Sequence, residues 1–156
     1  MVRKSKDSPA EARAYAFKLL SYRARSIKEM TEKLSRKGFH EDHITSTIAY
    51  LLEIGLMNDE SVASDLYRLT TEYKSLGKNG IRAFLMKRGI NKNLIDNTLA
   101  DHSSEIDEKT AMEFAVKRME VLKKYPRDVI KRRLWGLLQR RGFSYDVIKR
   151  VVDLLL

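Results

Sequence analysis

Leu34-Ser35-Arg36-Lys37-Gly38-Phe39, Leu85-Met86-Lys87-Arg88-Gly89-Ile90 and Leu138-Gln139-Arg140-Arg141-Gly142-Phe143 are one hexapeptide pattern written three times. Each runs from an apolar residue, through a variable one, to two basic residues, a glycine and a bulky apolar residue. The agreement extends outward without gaps. Eight residues before each glycine stand Met30, Ile81 and Leu134; six after it stand Ile44, Ile95 and Ile148; ten after it stand Ile48, Leu99 and Val152. The glycines lie 51 and 53 residues apart. That is too long for a helix-pair repeat and suits three short helices per unit.

Local chemistry explains the pattern. Two cations at the end of a helix oppose the negative end of its dipole. The next residue must turn left-handed, which glycine does without a steric cost. Phe39, Ile90 or Phe143 then folds back on Leu34, Leu85 or Leu138, the hydrophobic latch of a Schellman cap. One residue further, His40, Asn91 and Ser144 begin the next helix, and Asn91 and Ser144 are good caps. Each copy therefore reads as helix, tight corner, helix.

A further helix precedes each corner helix. Ser8-Pro9-Ala10-Glu11 supplies a cap, a proline at the first helical position and a glutamate three beyond the cap. The expected inner face is Ala12, Ala16, Leu19 and Leu20. Ser26-Ile27-Lys28-Glu29 is a second capping box. Asn58 or Asp59 is expected to open a helix through Val62, Ala63, Leu66 and Leu69, ending before Gly77. Ser104 is expected to cap one through Ala111, Phe114, Ala115 and Met119, stopped by Pro126. The fold expected is all-α: three tandem three-helix, helix-turn-helix-like repeats at 8–56, 57–104 and 105–156.

Composition narrows the function. With 43% hydrophobic residues and no cysteine, the chain is expected to be globular, without disulfides or thiolate metal sites. Residues 1–15 hold no apolar run of signal-peptide length, so a soluble cytoplasmic protein without a membrane contact is expected. The net charge of +10 favours an anionic partner: nucleic acid, a nucleoprotein or an acidic protein surface. Residues 1–56 carry 11 basic and 7 acidic side chains, 57–104 carry 7 and 6, and 105–156 carry 13 and 8, so the excess sits at the two ends.

No catalytic constellation stands out, and neither enzyme activity nor a cofactor is expected. His40 and His43 have a spacing that could share a metal, but no third ligand accompanies them. His102 stands alone in a polar linker. Gly77-Lys78-Asn79-Gly80 suggests a phosphate loop only superficially: Glu72 occupies the place of the earlier glycine and Asn79 that of Ser or Thr. It reads as a helix-opening turn.

Basic and aromatic residues carry the contact expectations. The pairs Arg36-Lys37, Lys87-Arg88 and Arg140-Arg141 recur at one position, and Lys131-Arg132-Arg133 lies on the turn before the third pair. Plain dipole compensation is one reading; regular basic patches along a stacked array is the other. Arg23 and Arg25, beside Tyr22, add a cluster at the first inter-helix corner. Trp135 aligns with Thr31 and Arg82, and Tyr145 with Glu41 and Lys92. Those positions are polar elsewhere, so both aromatics are expected to face outward as interface anchors, or else to pack the third unit on its neighbour.

The string Ser21-Tyr22-Arg23-Ala24-Arg25-Ser26, followed by Leu34 to Phe39, resembles the N-terminal signature of RecX regulatory proteins. Leu56-Met57-Asn58-Asp59-Glu60 with Ala63 is similar to the segment opening their second unit. Gly80, Leu85, Lys87, Arg88, Gly89 and Ile90 resemble the middle, and Arg140 to Ser144 the C-terminal unit. The resemblance spans Ala12 to Val152. It implies an elongated, curved array of the three-helix repeats and a partner of the RecA protein, lying in the groove of the RecA–single-stranded-DNA filament; a monomer is the separate expectation. It also implies inhibition of filament extension and of recombinase, ATPase and coprotease activities. Weak direct DNA binding is a secondary expectation. The alternatives are a helix-turn-helix-like DNA-binding protein or a generic helical adaptor. The third helices open on His40-Glu41-Asp42, Asn91-Lys92-Asn93 and Ser144-Tyr145-Asp146. Sequence-specific reading is disfavoured, because the first and last of these starts are acidic and repel phosphates and the basic pairs sit on the wrong side of the corner.

Overall fold

The computed structural model describes residues 7–156, and the described residues form nine α-helices and no strand. They group in threes: α1 (Pro9–Tyr22), α2 (Ile27–Lys37) and α3 (Glu41–Glu53); α4 (Asp59–Glu72), α5 (Lys78–Lys87) and α6 (Lys92–Thr98); α7 (Ser104–Leu122), α8 (Arg127–Arg140) and α9 (Tyr145–Leu155). Extensive helix–helix packing occurs within each group and not between groups. Three separate hydrophobic clusters follow, one inside each unit.

The three corners have one hydrogen-bond pattern. Phe39, Ile90 and Phe143 donate their backbone N–H to the carbonyls of Leu34, Leu85 and Leu138 at 3.3, 3.1 and 3.3 Å. Gly38, Gly89 and Gly142 donate to Ser35, Met86 and Gln139, each at 3.0 Å. These are the paired bonds of the Schellman motif. The glycines have φ of 98°, 82° and 83°, the left-handed region expected of them. Leu34, Leu85 and Leu138 are fully buried. Truncating any of them to alanine would cost about 2–5 kcal/mol.

The first helix of each unit is lined with buried alanine. Ala12 and Ala16 on α1, Ala63 on α4, and Ala111 and Ala115 on α7 have no exposed surface. A methyl side chain lets the third helix approach closely, since interaxial distance follows the side chains at the contact. This is why α1 packs on α3 and α7 on α9.

The caps expected at Ser8, Ser26, Asn91 and Ser144 all accept a backbone N–H from the third helical residue, and Ser26 and Glu29 complete a capping box. Asn58, rather than Asp59, caps α4. Two expectations need correction. Ser103 caps α7, not Ser104, because its hydroxyl reaches the N–H of Ile106. Leu69 faces outward, and Thr70 takes the buried position instead. Thr70 is tolerated there because its hydroxyl donates to the Tyr67 carbonyl at 2.7 Å, within its own helix. No helix among the described residues is long and apolar enough to cross a membrane.

Candidate functional site

The corners do more than turn the chain. Each later corner seats its arginine and glycine on the N-terminal turn of the middle helix of the unit before it, and so joins one unit to the next.

At the first joint, the Ser26 hydroxyl donates to the Arg88 carbonyl at 2.6 Å. Asp59, from the first helix of the second unit, accepts the N–H of Ile27, the first helical residue of α2, at 3.0 Å. Glu29 lies at the centre. Its carboxylate takes Arg23 at 2.6 Å and Arg88 Nε at 3.2 Å, and it also accepts the Ser26 N–H at 3.4 Å. Burial alone would raise the Glu29 pKa. The hydrogen bond from Arg23, the Ser26 N–H and Arg88 outweigh burial and hold it below its ordinary value.

The second joint repeats this plan with backbone in place of side chains. Gly77 N–H donates to the Arg141 carbonyl at 2.9 Å, and Asn79 N–H to the Gly142 carbonyl at 3.2 Å. Asp107 accepts the N–H of Lys78, the first helical residue of α5, at 3.1 Å. The Asp107 carboxylate is itself held at 2.6 Å by His102 Nε2, and His102 Nδ1 meets the Tyr67 hydroxyl at 2.8 Å. A carboxylate only accepts, so Nε2 carries the proton of that bond. His102 is 5% exposed. The expectation of a lone histidine in a polar linker is therefore overturned: its ring closes a buried chain from α4 to α7.

These joints sort the residues expected to meet a partner. Arg88 and Arg23 are engaged with Glu29. Arg25 is buried, with Nε 3.4 Å from the Leu19 carbonyl, and burial, then the neighbouring Arg23, lowers its pKa. Arg141 donates to the Lys74 carbonyl and stacks on Phe114, its guanidinium 4.4 Å from the ring centre. Burial lowers its pKa too, followed by the charge of Arg118. These four arginines hold the chain together, and Arg88 and Arg141 explain the basic residue beside Gly89 and Gly142 better than dipole compensation alone, whereas Lys37 beside Gly38 faces solvent.

The others face solvent. Arg36, Lys37 and Lys87 are exposed, with Lys37 Nζ 5.3 Å from the centre of the Tyr15 ring. Lys131, Arg132, Arg133 and Arg140 are exposed on α8. Arg132, Arg133 and Arg140 share one shallow depression of about 420 Å³, floored by Leu122, Gly136 and Leu137. Among the described residues, none of these three cations has a carboxylate partner. Arg133 also covers the Tyr125 ring at 4.1 Å. A hydrogen bond from Arg133, then the charges of Arg133 and Lys124, lower the Tyr125 pKa. This ridge is the strongest free cationic surface that the candidate residues form together. It is suited to phosphates or carboxylates.

Tyr145 faces outward as expected, whereas Trp135 does not. They meet edge to face with centroids 5.2 Å apart, in the groove between α8 and α9. Trp135 is half-buried against the third core, while Tyr145 stays exposed. Outward polar positions in the other units became a packed pair here, because each ring buries the apolar face of the other.

Among the described residues, no group of three or more His, Cys, Asp or Glu side chains is placed to hold a metal ion. His40 accepts the Asp42 N–H at 3.2 Å, and His43 pairs with Asp7 at 2.6 Å. The turn at Gly77 to Gly80 opens α5 as expected. Sequence reasoning missed Ser26, Asp59, Asp107 and His102 as joint residues. The signal available was thin: a carboxylate near the start of the first helix of units two and three, otherwise indistinguishable from a dipole partner.

Residues 12–51 match the family model for the first three-helix domain of RecX, and residues 105–152 that for the third. A regulatory protein RecX from Clostridioides difficile (strain 630) is 33% identical over 146 residues, 94% of this chain and 68% of that protein. One from Clostridium botulinum (strain Eklund 17B / Type B) is 31% identical over 95% of this chain and 70% of its own length. The crystal structure of RecX from Lactobacillus salivarius superposes with a TM-score of 0.79 at 26% identity, covering 94% of this chain and 96% of that one. With three Schellman corners in series, seated on one another in this way and matched along almost the whole chain, the protein belongs to the RecX family.

Proposed function

We propose that this chain is a non-enzymatic regulator that binds the RecA–single-stranded-DNA filament and limits its extension, together with its recombinase, ATPase and coprotease activities. It acts in the cytoplasm as a monomer, without a cofactor, through three units at 8–56, 57–104 and 105–156. The observation that carries the reading is family membership along nearly the full chain, since relatives with 31–33% identity bear the name regulatory protein RecX. The geometry is compatible: units joined in series, with a cationic ridge on α8 turned outward, suit a repetitive anionic track. Weak direct contact with DNA phosphates fits the same ridge.

ATP hydrolysis by preformed RecA filaments tests the reading. Adding this protein is expected to slow turnover in a saturable way, and no effect at saturation would overturn it. Reversing Arg132, Arg133 and Arg140 together to glutamate is expected to weaken filament binding while helical content stays unchanged. Undiminished binding would remove the ridge from the interface.

A further inference from the structure

The two joints differ in what lies beside them. At the second, Trp135 and Tyr145 fill the groove between α8 and α9. At the first, the equivalent groove between α5 and α6 is open, because Arg82 and Lys92 stand at those two positions. It has a volume of about 770 Å³ and runs onto the first turn of α2 in the preceding unit. Its floor is Ile27, Met86 and Ile95, and its rim carries Lys28, Arg82 and Lys92.

Met86 is the informative residue. It is 60% exposed, and the same position holds polar Ser35 and Gln139 in the other units. A flexible thioether on an open floor is a surface that repacks around an apolar side chain. The rim is cationic. Arg82 is bound to Asp96 at 2.6 Å, while Lys28 and Lys92 have no carboxylate within ion-pair distance among the described residues. Asp59, the acidic residue of the lining, is committed to the Ile27 N–H. No aromatic ring lines the groove, so it offers no platform for stacking bases.

We infer that this groove docks an acidic peptide segment: a bulky apolar side chain seats on Met86 and Ile27 while flanking carboxylates meet Lys28 and Lys92. Charge complementarity and the apolar floor select that occupant over a nucleic acid, and the inference does not rest on the RecA reading.

Fluorescence anisotropy of a short fluorescein-labelled peptide alternating glutamate and leucine, titrated with the full chain, tests it. Saturable binding is expected, weakened about tenfold by either Lys92→Glu or Met86→Ser, with unchanged far-ultraviolet circular dichroism. Met86→Ser installs the residue of the first unit at an exposed position, so it serves even where the charge reversal perturbs folding. Peptides with lysine for glutamate, or serine for leucine, are expected not to bind. Four results would each overturn the inference. They are no saturable binding below about 1 mM, wild-type affinity in both variants, an oligothymidylate that binds in the peptide's place and depends on Lys92 and Met86, and a dimer in sedimentation that Met86→Ser dissociates.

Discussion

The first joint is built mainly from side chains and the second mainly from close-packed backbone, with Asp107 and Arg141 as its side-chain contacts, although both solve the same geometric problem. At the first, Ser26, Glu29, Arg23 and Arg88 supply a hydroxyl bond and a carboxylate shared by two arginines. At the second, Gly77, Gly80 and Gly142 bring two segments of the chain so close that no Cβ fits. The difference teaches that a repeat can conserve the position of a contact while exchanging its physics. Directional ion pairs respond to pH and salt; steric fit between glycines does not.

Substitution of the three corner glycines should break this comparison most visibly. All three adopt positive φ, so alanine at any of them is strained by about 1 kcal/mol. At Gly38 nothing lies within 4 Å of an added Cβ, and the cost should stop there. At Gly89 the Cβ would meet the Ser26 hydroxyl at 2.6 Å and Lys28 Cβ at 2.9 Å, contacts that side-chain and helix shifts can partly relieve. At Gly142 it would strike the backbone of Gly80, which cannot move aside, and a loss of about 3 kcal/mol or more is expected. Urea unfolding followed by circular dichroism measures the series. Trp135, the sole tryptophan, reports the third unit selectively. Equal effects at the three sites would deny that the corners are joints.

Asp107→Ala should come next. It leaves the Lys78 N–H and the His102 Nε2–H unpaired in a buried site, a loss of about 1–3 kcal/mol. The loss should appear in urea unfolding. An effect below a few tenths of a kcal/mol would show that water replaces the carboxylate.

Glu29→Gln sharpens the contrast through pH. The folded-state pKa of Glu29 lies below its ordinary value of 4.5, so its contribution is present above that value and lost as pH falls through the lowered one. The wild type should therefore lose stability on acidification in a step that Glu29→Gln lacks. At neutral pH the variant should be about 1–2 kcal/mol weaker, since Glu29 and Arg88 are mostly buried and both arginines keep their charge. Thermal unfolding between pH 3 and 7 separates the two proteins, and parallel curves would remove Glu29 from the joint.

The smallest expected effect is at the exposed cations. Lys87→Glu and Arg140→Glu should each change stability by less than about 0.5 kcal/mol. Their neighbours Arg88 and Arg141, truncated to alanine, should cost several times more, because each is half-buried and hydrogen-bonded in a joint. Unfolding measurements on the four variants test whether adjacent basic residues have divided roles. Equal costs within each pair would return them to a shared effect on the helix dipole.

Much of this was legible in the sequence because it is local. The left-handed glycine, the latch of Phe39 on Leu34 and the caps at Ser26 and Ser144 are set by residues within one helical turn of each other, so spacing alone specifies them. The core positions at Leu34, Leu85 and Leu138 follow for the same reason. The candidate site was only half legible. Residue type marked Arg88, Arg132 and Arg141 alike as basic, but Arg88 and Arg141 meet groups more than fifty residues away, while Arg132 meets solvent.

What the sequence determined by itself was therefore the unit: three helices, a glycine corner and a buried leucine latch, three times over. What the tertiary structure decided was the joint between units. It chose which arginines bind inward, buried His102 beside Asp107, and left one groove open where Trp135 closed the other. Those outcomes depend on helix N-termini that present free N–H groups to whatever the next unit brings near. No spacing along the chain encodes the direction of that approach.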